Sequence, residues 1–278
     1  MPIYGNEMNG KASNKKLNKI WGIRLVDFKR AMNETLFPWS KCLVCGGSLD
    51  NDTYVCQDCL EKLATYERCV GCGSFLSFGQ KRNHTLACPF CLHKRNQYVD
   101  EYFSALPYDG YTRKLILAFK YSDKRNYAKP MAEILTAYLL EKLPNQKHLT
   151  KFDKIAKADY VIEVPLHNER FKERGYNQAT LLAEIVAEGI NVPYLSDVLV
   201  RHKKTKVQNR LSPNERKTNM ANAFSEGMNG QKIKGKSVII IDDILTSGNT
   251  LNSCAKVLKK LGAKEVLAVT VTSTLVKM

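Results

Sequence analysis

No stretch of this 278-residue chain is apolar for long enough to cross a membrane. Residues 1–19 are polar and lysine-rich and lack the hydrophobic centre of a secretory signal, so the expectation is a cytoplasmic protein with no transmembrane segment. Acids are scarce beside bases: 27 Asp and Glu against 43 Lys and Arg, a formal charge of +16. That imbalance favours an anionic partner such as nucleic acid, a nucleotide or a membrane surface. The Cys₂His₂ finger pattern is also missing, which argues against base reading by such a module. The length suffices for one sizeable core plus a smaller appendage.

What the chain does have is cysteine. Eight of its nine cysteines form four Cys-x-x-Cys pairs: Cys42/Cys45, Cys56/Cys59, Cys69/Cys72 and Cys88/Cys91. In a chain without an export signal these read as metal ligands rather than disulfides. Each pair clamps one edge of a metal, and Gly46 and Gly73 suit the tight turn after a pair. Two pairs complete a tetrahedral Cys₄ zinc site, and a four-sulfur site with no spare position is structural. Sequential pairing is favoured, giving one Zn²⁺ site from Cys42, Cys45, Cys56 and Cys59 and a second from Cys69, Cys72, Cys88 and Cys91. A cross-braced arrangement has compatible spacing. The ninth, Cys254, reads as a packing residue.

Three segments follow from composition. Residues 1–37 comprise a disordered start and an amphipathic helix, with Leu17, Ile20, Trp21, Leu25, Phe28, Met32 and Leu36 at steps suited to one helical face. Residues 38–97 hold the cysteines. Residues 98–278 alternate strand and helix. There, residues 102–106, 159–164, 238–241 and 265–272 read as strands, and residues 111–120, 127–143, 178–188 and 251–261 as helices. Residues 145–157 and 224–236 read as connections. Residues 166–177 read as a basic loop, and residues 201–210 as a mobile basic loop. Gly230 to Ser237 fits G-x-x-x-x-G-K-[ST], but it precedes a strand instead of following one, so the match is accidental.

The stretch from Val238 to Thr250 concentrates the chemistry. Val238, Ile239, Ile240 and Ile241 form a run suited to a strand buried on both faces. Asp242 and Asp243 follow, then Ile244, Leu245 and the loop Thr246, Ser247, Gly248, Asn249, Thr250. Such a loop lies at a strand's carboxyl end and a helix's amino end, where open α/β sheets bind ligands and backbone N–H groups attract phosphate. The stretch resembles the diphosphate-sugar motif of type I phosphoribosyltransferases. That resemblance implies that Asp242 and Asp243, as the catalytic acids, hold the ribose hydroxyls of phosphoribosyl pyrophosphate (PRPP), with Mg²⁺ bound alongside. It also implies that residues 246–250 hold the 5-phosphate. Arg174 and Gly175 lie where that fold puts its pyrophosphate loop. Purine-salvage members carry an acid where Thr246 stands, so purine salvage is disfavoured.

Further motifs narrow the resemblance. Besides the cysteines these are Phe119-Lys120-Tyr121, Val164-Pro165-Leu166, Arg174-Gly175-Tyr176-Asn177-Gln178, Gln208-Asn209-Arg210-Leu211, Glu215-Arg216 and Asn219. Together they are similar to the ComF family of competence proteins. The fold this implies is a type I phosphoribosyltransferase-like parallel sheet flanked by helices, with a small amino-terminal Cys₄ zinc-ribbon module. The role it implies is natural transformation, handling incoming single-stranded DNA, with partners such as a DNA-translocating helicase. Arg201, Lys203, Lys204, Gln208 and Arg210 would form a flexible loop that closes over PRPP. Two readings stay open: an active phosphoribosyltransferase of unknown acceptor, or a nucleic-acid-binding protein that keeps the PRPP pocket as a sensor or relic.

Overall fold

The computed structural model describes residues 40–49, 54–69, 74–77, 91, 97–121, 124–141, 149–202 and 223–277. The expected amphipathic helix near the start, Cys72, Cys88, and loop residues Lys203, Lys204, Gln208 and Arg210 lie outside these.

In the cysteine region, helix α1 (Gln57–Thr65) precedes strands β1 (Glu67–Arg68) and β2 (Phe75–Ser77). The α/β portion begins with β3 (Glu101–Pro107), α2 (Gly110–Tyr121), a 3₁₀ turn at Arg125–Tyr127, and α3 (Ala128–Glu141). Next come α4 (Leu149–Ala156), β4 (Tyr160–Glu163), α5 (Asn168–Arg174), α6 (Gln178–Ile190) and β5 (Leu199–Arg201). The chain continues through β6 (Phe224–Glu226), β7 (Ser237–Leu245), α7 (Asn249–Lys260), β8 (Glu265–Ser273) and β9 (Val276–Lys277).

The principal sheet is parallel, in the order β3-β8-β7-β4. Strand alternation explains its two cores. Ile239 and Ile241 of β7 and Leu267 and Val269 of β8 pack on one face with α2, α3 and α6. Val238, Ile240, Val266 and Ala268 pack on the other, chiefly against α7. Because β7 extends beyond the expected Val238–Ile241 run to Leu245, both aspartates are strand residues, and they leave the sheet on opposite faces.

Three expected connections contain regular elements among their described residues, and the fourth begins with one. Residues 145–157 contain α4, whose local pattern is masked by surrounding lysines. The supposed basic loop contains α5, started by His167 and ended by Gly175 in the left-handed region, φ 74°. Residues 224–236 hold β6 and a 3₁₀ turn, Gly230–Ile233. Arg201, expected in a mobile loop, belongs to β5 and is only 9% exposed. In each case a short element gains its order from a neighbour: β5 and β6, for example, pair with each other.

The cysteine region is packed against the sheet's helices. Leu43, Leu63 and Phe75 share a core with Leu115, Ile116 and Met131. The Arg68 guanidinium lies 3.9 Å over the Phe75 ring and donates to the carbonyls of Ser104 and Ala105 on β3. Strand β9 pairs with β2, Val276 beside Leu76, so the last described strand joins the sheet of the cysteine region. Gly46 meets α2 most tightly. Its φ is 79°, and a Cβ there would fall 2.7 Å from the Tyr111 ring. Gly46→Ala is therefore expected to lower stability by about 1–3 kcal/mol, combining left-handed backbone strain with ring displacement. Chemical denaturation reads this directly, and an unchanged midpoint would contradict tight docking.

Candidate functional site

The site is assembled where β7 ends. The Asp243 amide donates to Asp242 Oδ1 at 2.9 Å, and Thr272 Oγ1 on β8 donates to the Asp243 carbonyl at 3.2 Å. On the α2 face, Lys120 Nζ lies 2.7 Å from Asp243 Oδ2. Burial alone would lower the Lys120 pKa, but the charges of Asp243 and Asp242 outweigh it and hold the ammonium above its ordinary range. Asp242 is half-buried on the opposite face. Burial, and then the Asp243 charge, push its carboxyl up to about 7.

Helix α5 and its junction with α6 bring in the arginines. Arg174 Nη1 donates to Gln178 Oε1 at 3.0 Å, and its guanidinium stacks 4.8 Å over the Tyr121 ring. The Arg174 Nε is buried and makes no hydrogen bond. Gly175 is forced by its surroundings: its positive φ disfavours a side chain, and a Cβ would approach Arg125 Nη2 to 3.0 Å. Arg125 stacks on Tyr176 and bonds the Gly175 carbonyl at 3.4 Å. Tyr176 Oη and Gln178 Nε2 both donate to the Phe119 carbonyl, the latter at 3.2 Å. The end of α2 is thereby tied to the segment that carries Arg174. Burial, and then the charge of Arg170, lower the Arg201 pKa; Arg174 acts in the same sense and Asp242 against it. Basic groups thus converge beside the acid pair.

Past Leu245 the chain turns through Thr246 and Ser247 to Gly248, whose φ is 68°, and α7 begins at Asn249. Thr246 is exposed, while Ser247, Asn249 and Thr250 are half-buried. The first-turn amides of a helix lack intrahelical partners, so this turn offers donors to an anion. His167 is the N-cap of α5, its Nδ1 accepting from the Glu169 amide at 3.2 Å. Cys254 is fully buried in α7, as a packing residue should be.

Sequence reasoning assigned no role to Arg125, which arrives through tertiary contacts with no local signature. Lys120 and Gln178 appeared only as members of motifs. Arg170 appeared only as the start of the basic junction that runs to Gly175.

The second feature is the cysteine cluster. The sulfurs of Cys42, Cys45, Cys56 and Cys59 all lie within 4.8 Å of one another, and those of Cys45 and Cys56 are 3.9 Å apart. A tetrahedral zinc thiolate site requires sulfurs about 3.8 Å apart, so these four fit Zn²⁺, and they are the sequential set. The amides of Val44 and Cys56 donate to Cys42 Sγ, each at 3.4 Å, and Gly47 donates to Cys45 Sγ at 3.4 Å. Burial raises the Cys42 thiol, but the backbone donors outweigh it and bring it down to about 7. Cys69 is buried and Cys91 half-buried; the other members of the expected second site lie outside the described residues.

The parallel sheet, with acids at the end of β7 and a glycine turn leading into α7, defines a phosphoribosyltransferase-type domain, here joined to a cysteine cluster. The sequence profile described as "Phosphoribosyl transferase domain" matches residues 177–276. Competence protein F of Haemophilus influenzae is 30% identical over 227 residues, covering 81% of this chain and 93% of that protein. DNA utilization protein YhgH of Escherichia coli is 27% identical over 229 residues, covering 82% and 88%. Competence protein ComFC of Bacillus subtilis is 28% identical over 223 residues, covering 77% and 81%. The chain belongs to the ComF family of competence proteins. Among the described residues no helix is long and apolar enough to cross a membrane.

The shift at Asp242 gives a pH prediction. An acid whose pKa is higher folded than unfolded contributes stability that is full below its unfolded value, 3.8, and is lost as pH rises through about 7. Asp242→Asn cannot ionise. It is expected to melt higher than wild type at about pH 8, with the gap shrinking as pH falls towards about 5. A gap independent of pH would refute buried ionisation as its cause.

Proposed function

We propose that this protein acts in natural transformation, in the cytoplasm, handling incoming single-stranded DNA, and that its phosphoribosyltransferase-like site binds PRPP. The observation that carries the PRPP reading is the acid pair at the end of β7, with Lys120 at 2.7 Å from Asp243 and Asp242 in the field of Arg201, followed at once by the glycine turn into α7. In this reading Asp242 and Asp243 hold the ribose hydroxyls. Thr246, Ser247, Gly248, Asn249 and Thr250 hold the 5-phosphate at the start of α7. Arg174 grips the pyrophosphate, and Gly175 leaves room for the close approach. The half-buried Asp242 carboxylate suits a divalent cation, and Mg²⁺ would neutralise part of the pyrophosphate charge. Lys203, Lys204, Gln208 and Arg210 would close over the ligand from the end of β5, where Arg201 is the fixed base. Zinc would hold two structural sites in a module spanning residues 38–97, ahead of a phosphoribosyltransferase-like domain spanning residues 98–278 and behind a separate segment of residues 1–37.

Support for the DNA role comes from the family and from the surface beside the pocket. Tyr121 and Phe171 are 62% and 49% exposed next to basic α5, giving rings on which unpaired bases could stack between phosphate contacts. A DNA-translocating helicase would be a fitting partner for a protein that receives a single strand.

Titration calorimetry with PRPP and Mg²⁺ tests the pocket. Wild type should bind, and the double variant Asp242→Asn/Asp243→Asn should bind more weakly by about a hundredfold or more, since each of the two charged hydrogen-bonding groups is worth about 1.5–3 kcal/mol. Absence of wild-type binding would end the PRPP reading. Pyrophosphate release across a panel of bases and amines then separates an active transferase without a direct DNA role from a binding protein. Single-stranded DNA affinity should fall about fifty-fold between about 50 and about 200 mM salt if about four phosphates are neutralised. An affinity insensitive to salt would rule out such contacts.

A further inference from the structure

The acid pair already has a cation, and the chain supplies it. Lys120 comes from the last turn of α2, outside the two strand-end turns that form the rest of the site. Its Nζ is 2.7 Å from Asp243 Oδ2, with the lysine side chain 20% exposed and the aspartate 4%. Its backbone is held in place, because the Phe119 carbonyl accepts from both Tyr176 and Gln178, and Gln178 in turn accepts from Arg174. A merely structural ion pair would be balanced. Here Lys120 feels Asp243, Asp242 and Arg174, and Arg201 feels Asp242, Arg170 and Arg174, so at these positions the basic groups outnumber the two aspartates. Such an excess in a poorly solvated place calls for an anion. An ammonium has three donors, so one bond to Asp243 leaves others for a ligand.

We infer that Lys120 is a ligand-binding residue of this site. Its ammonium pairs with Asp243 and shares its remaining N–H donors with the anionic oxygens of the bound pyrophosphate-bearing sugar. Part of the charge neutralisation is therefore built into α2 rather than carried wholly by a divalent cation. The inference rests on the PRPP reading above and adds to it a residue and a reduced dependence on metal.

The test is PRPP calorimetry on the full chain, in EDTA and in excess Mg²⁺. Wild type is expected to retain measurable binding in EDTA. Lys120→Gln should lose about tenfold or more in EDTA, the loss of one charged hydrogen bond, and markedly less in Mg²⁺, where the metal substitutes for the missing charge. Lys120→Arg, which keeps the charge beside Asp243, should restore metal-free binding. Lys114→Gln removes the same charge from an exposed position on α2 and should alter neither affinity. Wild-type binding that EDTA abolishes overturns the inference while leaving the PRPP reading intact, and so does an equal loss for Lys120→Gln in both buffers. Failure of wild type to bind PRPP even with Mg²⁺ removes the reading and the inference together. Should Lys120→Gln fail to fold, the wild-type comparison and Lys120→Arg still decide the matter.

Discussion

A carboxylate at the end of a strand buried on both faces has little water to turn to, and the site is organised around that constraint. Strand β7 has neighbours on both edges and helices against both faces, so Asp242 and Asp243 leave the sheet into different apolar layers. Each must be compensated separately. Asp243 is met by Lys120 from α2. Asp242 lies in the field of Arg201 at the end of β5. Helix α2 and the paired strands β5 and β6 bring the cations that offset the cost of burying these acids.

This compensation is incomplete, in a direction that suits binding. Asp242 is pushed towards neutrality, and Arg201 is pulled below its ordinary range by burial and by like charge. Groups held in unfavourable charge states lower the stability of the free protein, and that cost is recovered when a ligand of opposite charge enters. The convergence of Arg170, Arg174 and Arg201 is costly for the same reason, and its presence is a stronger indication of an anionic ligand than the overall charge of +16.

Much of this was legible in the sequence where physics is local. The run Val238–Ile241, the acids after it and the glycine turn follow from strand periodicity and backbone freedom, and the structure places all of them in one strand-turn-helix unit. The cysteine spacing favoured the set Cys42, Cys45, Cys56 and Cys59 while leaving a cross-braced pairing open, and the structure brings these four together. Legibility ended where order came from elsewhere in the chain. Helix α5 is too short to show a period, and its start depends on His167, an uncommon cap. Residues 199–201 became a strand because residues 224–226 pair with them across an intervening segment. Lys120 was visible only as part of a motif; that it reaches Asp243 depends on how α2 lies across the sheet.

Helix α2 is engaged at both ends. Near its start Tyr111 lies against the Gly46 knuckle of the cysteine cluster, and in its last turn Lys120 reaches Asp243. The nine residue steps from Tyr111 to Lys120 span about 14 Å and two and a half turns. The helix is thus a spacer with a phase as well as a length. One residue more or fewer would swing Lys120 about 100° around the axis, away from Asp243, while Tyr111 stayed on the knuckle. Substitutions along the outer face of α2 are cheap, but insertions and deletions within it are not. The distance between the cysteine cluster and the acid pair is consequently written into the chain as a count of residues.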